Sequence, residues 1–275
     1  MICAWNELLA ILPPHLRQEV DRFGKEQGRE LRLRLGRSPS LRLADAMVTI
    51  GRPTISEDLS FVVNTACRYS PWTAESAASG YITAPGGHRI GICGEAIQQQ
   101  GRMAGFRSLR SLNIRIARDF PGIAAPLKHL RGNILIMGSP GSGKTTLLRD
   151  LIKQRSARET VAVVDERGEL FPQGISENAA ADVITGCSKS QGIDAVLRTM
   201  GPDTIAVDEI TAAEDCDALL QACWCGVEVL ATLHGRDASD LAGRAVYKPI
   251  LVSKLFQNLV ILRKDQSFRI ERMVE

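Results

Sequence analysis

The sequence predicts an α/β protein of two domains: a smaller mixed α+β domain over residues 1–125, then an α/β domain with a parallel sheet over residues 126–275. Three observations support this. Apolar and polar residues alternate with period two in the first half, which is typical of half-buried strands. After residue 133, short apolar runs alternate with helix-like stretches, as in a parallel sheet covered on both faces. The charge also changes, since residues 1–130 carry 17 Arg and Lys against 11 Asp and Glu, and the remainder carries 17 against 20.

The composition excludes several classes of protein. With 44% apolar and 24% charged residues, the 275-residue chain is neither disordered nor collagen-like. No apolar run approaches the roughly 18 residues that cross a bilayer, and the first residues lack the pattern of a signal peptide, so we expect a cytoplasmic protein. The seven scattered cysteines indicate reduced thiols. Cys216, Cys223 and Cys225 lack a second ligand pair at zinc spacing.

The N-terminal half begins with a predicted helix over residues 5–27, interrupted at Pro13-Pro14. Ser56, followed by two acids, predicts the N-terminus of a helix, because a hydroxyl can cap free amides and acids favour the positive end of the dipole; this helix is expected to run to about Tyr69. A glycine turn at residues 85–87 predicts a hairpin. The predicted strands of this half cover residues 30–35, 40–43, 47–50, 81–84, 88–92 and 111–118. Residues 119–126 contain two prolines and form the expected linker.

The C-terminal half alternates buried strands with helices. Strands are predicted over residues 134–137, 161–164, 205–207 and 227–231. Helices are predicted over residues 144–155, 190–200 and 213–225. Residues 259–263 and 268–273 predict a hairpin at one edge of the sheet.

A glycine-rich motif between the first strand and helix of this half carries the strongest chemical signal. It matches GxxxxGK[ST] with Gly138, Ser139, Pro140, Gly141, Ser142, Gly143, Lys144 and Thr145, and Thr146 follows. Such a loop wraps a phosphate chain with its backbone amides, and the helix behind it adds a positive N-terminal dipole. We expect Lys144 to bridge the β- and γ-phosphates of ATP, and the Thr145 hydroxyl to bind Mg²⁺.

An apolar strand ending in Asp208 and Glu209 predicts the acids that hydrolysis requires. The carboxyl ends of parallel strands meet at one edge of the sheet, so both side chains are expected beside the phosphates. Asp208 is predicted to hold Mg²⁺, and Glu209 to orient and deprotonate the attacking water. The alternative is an acidic N-cap for the next helix.

Two further strand ends carry polar residues. Asp165-Glu166-Arg167-Gly168-Glu169 follows the second strand, and the alternative is a solvated acidic loop. His234 ends the fourth strand at the same edge. A histidine there can sense the γ-phosphate, and the alternative is a histidine that only forms hydrogen bonds within its own loop. Glu166 and His234 are therefore candidate catalytic residues.

In this order, these motifs resemble the secretion ATPases of type II and type IV systems and the pilus motors. Within that superfamily the chain looks most like the stage III sporulation protein AA family, through residues 30–39, 81–94, 112–118 and 186–189. The resemblance implies a RecA-like P-loop domain, an acidic box at residues 165–169 and a histidine box at His234. The pair Asp208-Glu209 departs from the Gly-Glu common in pilus motors.

The resemblance also implies a ring homo-oligomer, commonly a hexamer, in which the N-terminal domain of one subunit supplies arginines to the nucleotide of the next. Arg89, beside the glycine turn, and Arg115, outward on an alternating strand, are the candidates. The implied partners are integral-membrane subunits of an export or channel complex in endospore formation, on the mother-cell side. Two rival functions are a nucleic-acid-stimulated ATPase and a nucleotide-gated scaffold with little turnover. No nucleic acid is expected, since aromatic residues make up only 5% of the chain.

Overall fold

The structure is a computed structural model, and it describes residues 1–67, 80–171, 179–263, 265 and 267–273. These residues form two compact units, which divide between Asp119 and Phe120. The α/β fold class with two sheets confirms the prediction.

The N-terminal unit is a six-stranded antiparallel sheet with helices on one face. Its strands are β1 (Glu30–Arg34), β2 (Arg37–Arg42), β3 (Met47–Thr49), β4 (Tyr81–Thr83), β5 (Arg89–Gln99) and β6 (Arg102–Arg115), in the spatial order β3-β2-β1-β6-β5-β4. Its helices are α1 (Trp5–Ile11), α2 (Pro14–Asp21), α3 (Gly24–Gln27) and α4 (Ser56–Cys67). The core includes Leu31 and Leu33 of β1, as the alternation over residues 30–35 predicts, whereas Leu35 lies beyond the end of β1 and is exposed.

Two local predictions in this unit need correction. Strands β5 and β6 continue as one long hairpin through residues 93–110, which the sequence pattern did not reveal. Beyond Gly94 most residues of β5 are exposed, so no apolar alternation marks the strand. At α4, the Ser56 hydroxyl donates to Glu57, and the amide of Ile55 instead donates to Asp58 Oδ2 at 3.0 Å. The helix predicted to begin at Ser56 is therefore confirmed, while Asp58 and not the Ser56 hydroxyl accepts this backbone hydrogen bond; the predicted end near residue 69 lies outside the described residues.

The C-terminal unit is a seven-stranded sheet with helices on both faces. Its strands are β7 (Ile134–Gly138), β8 (Val161–Asp165), β9 (Ala181–Thr185), β10 (Thr204–Val207), β11 (Glu228–His234), β12 (Asn258–Leu262) and β13 (Phe268–Arg272). The spatial order is β13-β12-β7-β11-β10-β8-β9, parallel except for β13. Its helices are α5 (Lys144–Ser156), α6 (Lys189–Thr199), α7 (Ala213–Trp224), α8 (Ala238–Ala242) and α9 (Lys248–Val252).

Burial on both faces explains the continuous apolar strands of this unit. Helix α5 packs on one face through Leu147, Leu148 and Leu151, and α6 and α7 pack on the other. Every residue of β7, β8 and β10 is buried. The sequence missed β9, because this edge strand is largely exposed and lacks an apolar pattern. Strands β7, β8, β10 and β11 run parallel, so the loops after them share one edge.

Candidate functional site

The glycine-rich loop joins β7 to α5 in a conformation suited to phosphate. Gly141 and Gly143 have φ values of 76° and 98°, in the left-handed region that favours glycine. A Cβ at Gly138 would lie 2.6 Å from Ser142 Oγ and 2.7 Å from the carbonyl oxygen of Leu262. The Ser142 hydroxyl is buried, and no described residue hydrogen-bonds it. The loop thus offers backbone amides and an unused hydroxyl at the start of α5, which fits a nucleotide phosphate chain.

Lys144 is held at the mouth of this loop by two contacts. Its Nζ donates to the carbonyl oxygen of Ser139 at 3.1 Å and to Nδ1 of His234 at 2.9 Å. Burial lowers the pKa of Lys144, while the nearby carboxylates of Asp208 and Glu209 oppose this shift. A polyphosphate beside Lys144 would add negative charge and favour the ammonium form further.

Two threonines hold Asp208 at the end of β10. Thr145 Oγ1 donates to Asp208 Oδ2 at 2.8 Å, and Thr232 Oγ1 donates to Oδ1 at 2.5 Å. The amide of Glu209 donates to the same Thr232 oxygen at 2.8 Å. A threonine hydroxyl next to a carboxylate is the hard-oxygen chemistry that Mg²⁺ prefers, so these residues fit the ion. The role of Thr232 was not predicted, because no residue near it in the sequence indicates that it contacts Asp208 and Glu209, which follow β10.

Glu209 follows in a strained conformation. Its φ is 56°, which is uncommon for a residue with a Cβ. One carboxylate oxygen lies 3.2 Å from His234 Nε2, and the other lies 3.4 Å from Arg167 Nη1. The Nδ1 atom of His234 faces Lys144, 2.9 Å from its Nζ, and the Nε2 atom faces Glu209. His234 therefore links the P-loop lysine to the acid of β10.

The acidic stretch after β8 divides into a structural and an exposed part. Asp165 is buried and accepts hydrogen bonds from the amides of Glu169 at 2.9 Å and Leu170 at 2.7 Å. Burial raises the pKa of Asp165, and the amide contacts at Leu170 and Phe171 oppose this shift. Asp165 thus closes the loop, while Glu166 Oε2 accepts from Lys189 Nζ at 2.6 Å.

These acids face a common cleft within the C-terminal unit. Its lining residues are Asp165, Glu166, Arg167, Glu169, Lys189, Asp208 and Glu209. Lys189 was not predicted as a site residue, and its only signal in the sequence is its place in the stretch 186–189 that carries the family resemblance. A second cavity, of about 250 Å³, opens beside Ser139 of the glycine-rich loop. Arg236, Arg263 and Arg269 line it, so the loop has adjoining space for more of a nucleotide.

The predicted arginines lie in the N-terminal unit. Arg89 and Arg115 are direct partners across β5 and β6, and Arg115 is also opposite Glu30 of β1. The Arg89 guanidinium lies over the Tyr81 ring, 4.3 Å from its centroid. Arg115 is exposed. The structure therefore brings the glycine-rich loop, the acids and His234 together in one unit, and the two arginines together in the other.

A glycine-rich loop between a buried strand and a helix, with a threonine–aspartate pair and a glutamate at the carboxyl edge of a parallel sheet, is the arrangement of the P-loop class of protein. Comparison with known proteins gives the family. The family described as sporulation stage III, protein AA, matches residues 5–271, and the chain belongs to it. The chain is 34% identical to stage III sporulation protein AA of Bacillus subtilis (strain 168), over 94% of this chain and 91% of that protein.

The wider relatives are secretion ATPases. Type II secretion system protein HxcR of Pseudomonas aeruginosa is 33% identical over 60% of this chain, and the match spans 34% of that protein. The structure of the pilus retraction motor PilT with bound ADP has a TM-score of 0.59 at 17% identity, covering 89% of this chain and 76% of that one. The ATPase DotB of Legionella pneumophila has a TM-score of 0.57 at 18% identity, with the same coverage. The secretion-ATPase resemblance and the RecA-like fold are thus confirmed. No helix in the described part of the chain is long and apolar enough to cross a membrane.

Proposed function

We propose that this protein hydrolyses ATP with Mg²⁺ as an oligomeric secretion-type motor. The proposal rests on one observation. Lys144, the Thr145–Asp208 pair and Glu209 lie together beside a loop with two left-handed glycines. Separate strands and helices supply these groups, and each has the chemistry that phosphoryl transfer to water requires.

Each group has a distinct role in this proposal. The loop amides and Lys144 bind the phosphates and neutralise negative charge as the terminal phosphate leaves. Thr145 and Asp208 would hold Mg²⁺, and the ion would supply positive charge next to the phosphates when bound. Glu209 orients a water and accepts its proton, and His234 fixes the Glu209 carboxylate through the 3.2 Å contact. Glu166 is bound to Lys189 and is the less suitable base.

We further propose a ring, in which the residues 126–275 of one subunit receive Arg89 or Arg115 from the residues 1–125 of another. Two arginines that are direct partners on neighbouring strands suit a γ-phosphate, whose charge spreads over several oxygens in the transition state. The name of the type II secretion relative supports coupling to a secretion system, and we propose that the partners are integral-membrane subunits of an export or channel complex. The name of the sporulation relative supports a role in endospore formation. We propose in addition that this ATPase is cytoplasmic, acts on the mother-cell side and is attached through its partners.

The paired arginines also favour a second candidate, an ATPase stimulated by nucleic acid. Arg89 and Arg115 lie side by side on one sheet face, and Tyr81 adds an aromatic ring. Polyanion binding would then raise ATP turnover in a salt-sensitive way. A nucleotide-gated scaffold, by contrast, would bind ATP and assemble without turnover.

One experiment separates these functions. ATP turnover per subunit is measured against protein concentration, with the mass in solution recorded with and without ATP. A motor with shared sites shows turnover that rises with assembly, is abolished in Glu209→Gln and is insensitive to added polynucleotide. Assembly without turnover indicates the scaffold, and polynucleotide stimulation indicates the second candidate. Turnover that stays constant down to the monomer contradicts the shared site.

A further inference from the structure

A buried lysine lies in the acidic cleft of the C-terminal unit. The side chain of Lys189 is only 7% exposed, and it lines the same cleft as Asp208 and Glu209. Its Nζ donates to Glu166 Oε2 at 2.6 Å and lies 3.8 Å from Asp215 Oδ2. A buried ammonium is costly unless a carboxylate compensates it, so Glu166 is its principal partner.

Lys189 lies at a position in its helix where a positively charged side chain is unfavourable. Lys189 is the first residue of α6, and Ser188 and Gln191 form a capping box around it. The positive end of the helix dipole disfavours a cation at this place. Residues that break a local rule are concentrated at functional sites, and here the gain is a cation among the carboxylates of the cleft.

The contacts of Lys189 also connect two loops at the carboxyl edge. Glu166 lies directly after β8. Asp215 accepts hydrogen bonds from the amides of Thr211 at 2.9 Å and Ala212 at 3.1 Å, in the turn that follows Glu209. One ammonium therefore joins the loop after β8 to the turn after β10.

Glu166 and Glu209 differ in how they are held. Glu166 is bound by the buried ammonium at 2.6 Å, whereas the contacts of Glu209 are longer, at 3.2 Å to His234 and 3.4 Å to Arg167. The short charge-assisted hydrogen bond from Lys189 binds one oxygen of the Glu166 carboxylate and holds the side chain in one orientation. Glu209 retains the capacity to accept a proton from water.

We propose that Lys189 is a positioning residue that neutralises Glu166 and so leaves Glu209 as the base; this inference rests on the proposed ATPase function. Without Lys189, Glu166 is an unpaired carboxylate in a cleft that also holds Asp208 and Glu209. Its charge repels the terminal phosphate, and its oxygens compete for the attacking water. The decrease in kcat on loss of Lys189 therefore depends on the negative charge of Glu166.

The test is a suppression experiment in the full-length chain. Lys189→Met, which keeps the length without the charge, should lower kcat roughly tenfold or more and change KM for ATP less than about threefold. Glu166→Gln alone should stay within about threefold of wild type, and in the Lys189→Met background it should restore kcat. Lys189→Arg should retain most activity. Affinity for a fluorescent ATP analogue should be unchanged in all four variants.

Several outcomes overturn the inference. A double variant as slow as Lys189→Met shows that Lys189 does not act through Glu166. Weakened binding of the analogue by Lys189→Met shows that Lys189 contacts the nucleotide itself. If Lys189→Met fails to fold by circular dichroism, Glu166→Gln carries the test, and a loss as large as that of Glu209→Gln refutes the assignment. A wild-type protein without turnover refutes the proposed function instead, so the two failures are distinguishable.

Discussion

The left-handed backbone of Glu209 predicts that this residue reduces the stability of the protein. At φ 56°, a residue with a Cβ pays roughly 1–2 kcal/mol relative to glycine. Glycine loses more backbone entropy on folding, which offsets about 0.5–1 kcal/mol of that gain. We therefore expect Glu209→Gly to have a free energy of unfolding about 1 kcal/mol higher than Glu209→Ala.

The alanine variant is the matched control, because both variants lose the carboxylate. The lost contacts to His234 and Arg167, at 3.2 and 3.4 Å, involve partly exposed groups and contribute at most about 1 kcal/mol. The hydrogen bond from the amide of residue 209 to Thr232 is a backbone contact, and both variants keep it. The difference between Gly and Ala thus isolates the backbone term.

The assay is urea unfolding followed by far-UV circular dichroism, together with ATP turnover. Both variants should lack turnover, while Glu209→Gly should equal or exceed the wild-type stability. This result would show that stability is given up for the placement of a base. An alanine variant as stable as the glycine variant would refute a strained backbone at this position.

Three further predictions concern other residues. Lys144→Ala should lose most nucleotide affinity and keep its fold, as measured by a fluorescent ATP analogue and circular dichroism; wild-type hydrolysis by this variant would contradict the P-loop assignment. Arg89→Ala or Arg115→Ala should lower kcat roughly 10³-fold or more with little change in nucleotide affinity. Mixing either variant with Glu209→Gln protein should restore part of the turnover. If mixing restores no turnover, the two arginines are surface residues without a catalytic role. Burial lowers the pKa of His88, which accepts from the amide of Ala117 at 3.1 Å and contacts the Ala4 carbonyl at 2.7 Å. Its stabilising contribution is complete above the unfolded pKa of about 6.5 and is lost as pH falls below it, by at most about 1.4 kcal/mol per pH unit. The urea midpoint should therefore drop between pH 7 and 5, and less so in His88→Gln; equal slopes would contradict this account.

Local sequence determined the fold class and the glycine-rich loop. Residues 138–145 are consecutive, and the left-handed conformations of Gly141 and Gly143 need no distant partner. The buried strands β7, β8 and β10 were also predictable, because a sheet covered on both faces requires continuous apolar runs. Strand β9 and the outer half of the β5–β6 hairpin were not, since exposed strands carry no apolar pattern.

The tertiary structure alone decided how the polar residues pair. Sequence placed Asp165, Glu166, Asp208 and Glu209 at strand ends and predicted roles for Asp208 and Glu209, but it could not show which residue each acid contacts. In the fold, Asp165 accepts a hydrogen bond from a backbone amide of its own loop, and Glu166 accepts one from Lys189. Asp208 accepts hydrogen bonds from two threonines. The partners of Glu166 and Asp208 are more than 20 residues away along the chain, on other strands and helices. Their contacts depend on the order of the strands in the sheet, and no local pattern of residues encodes that order.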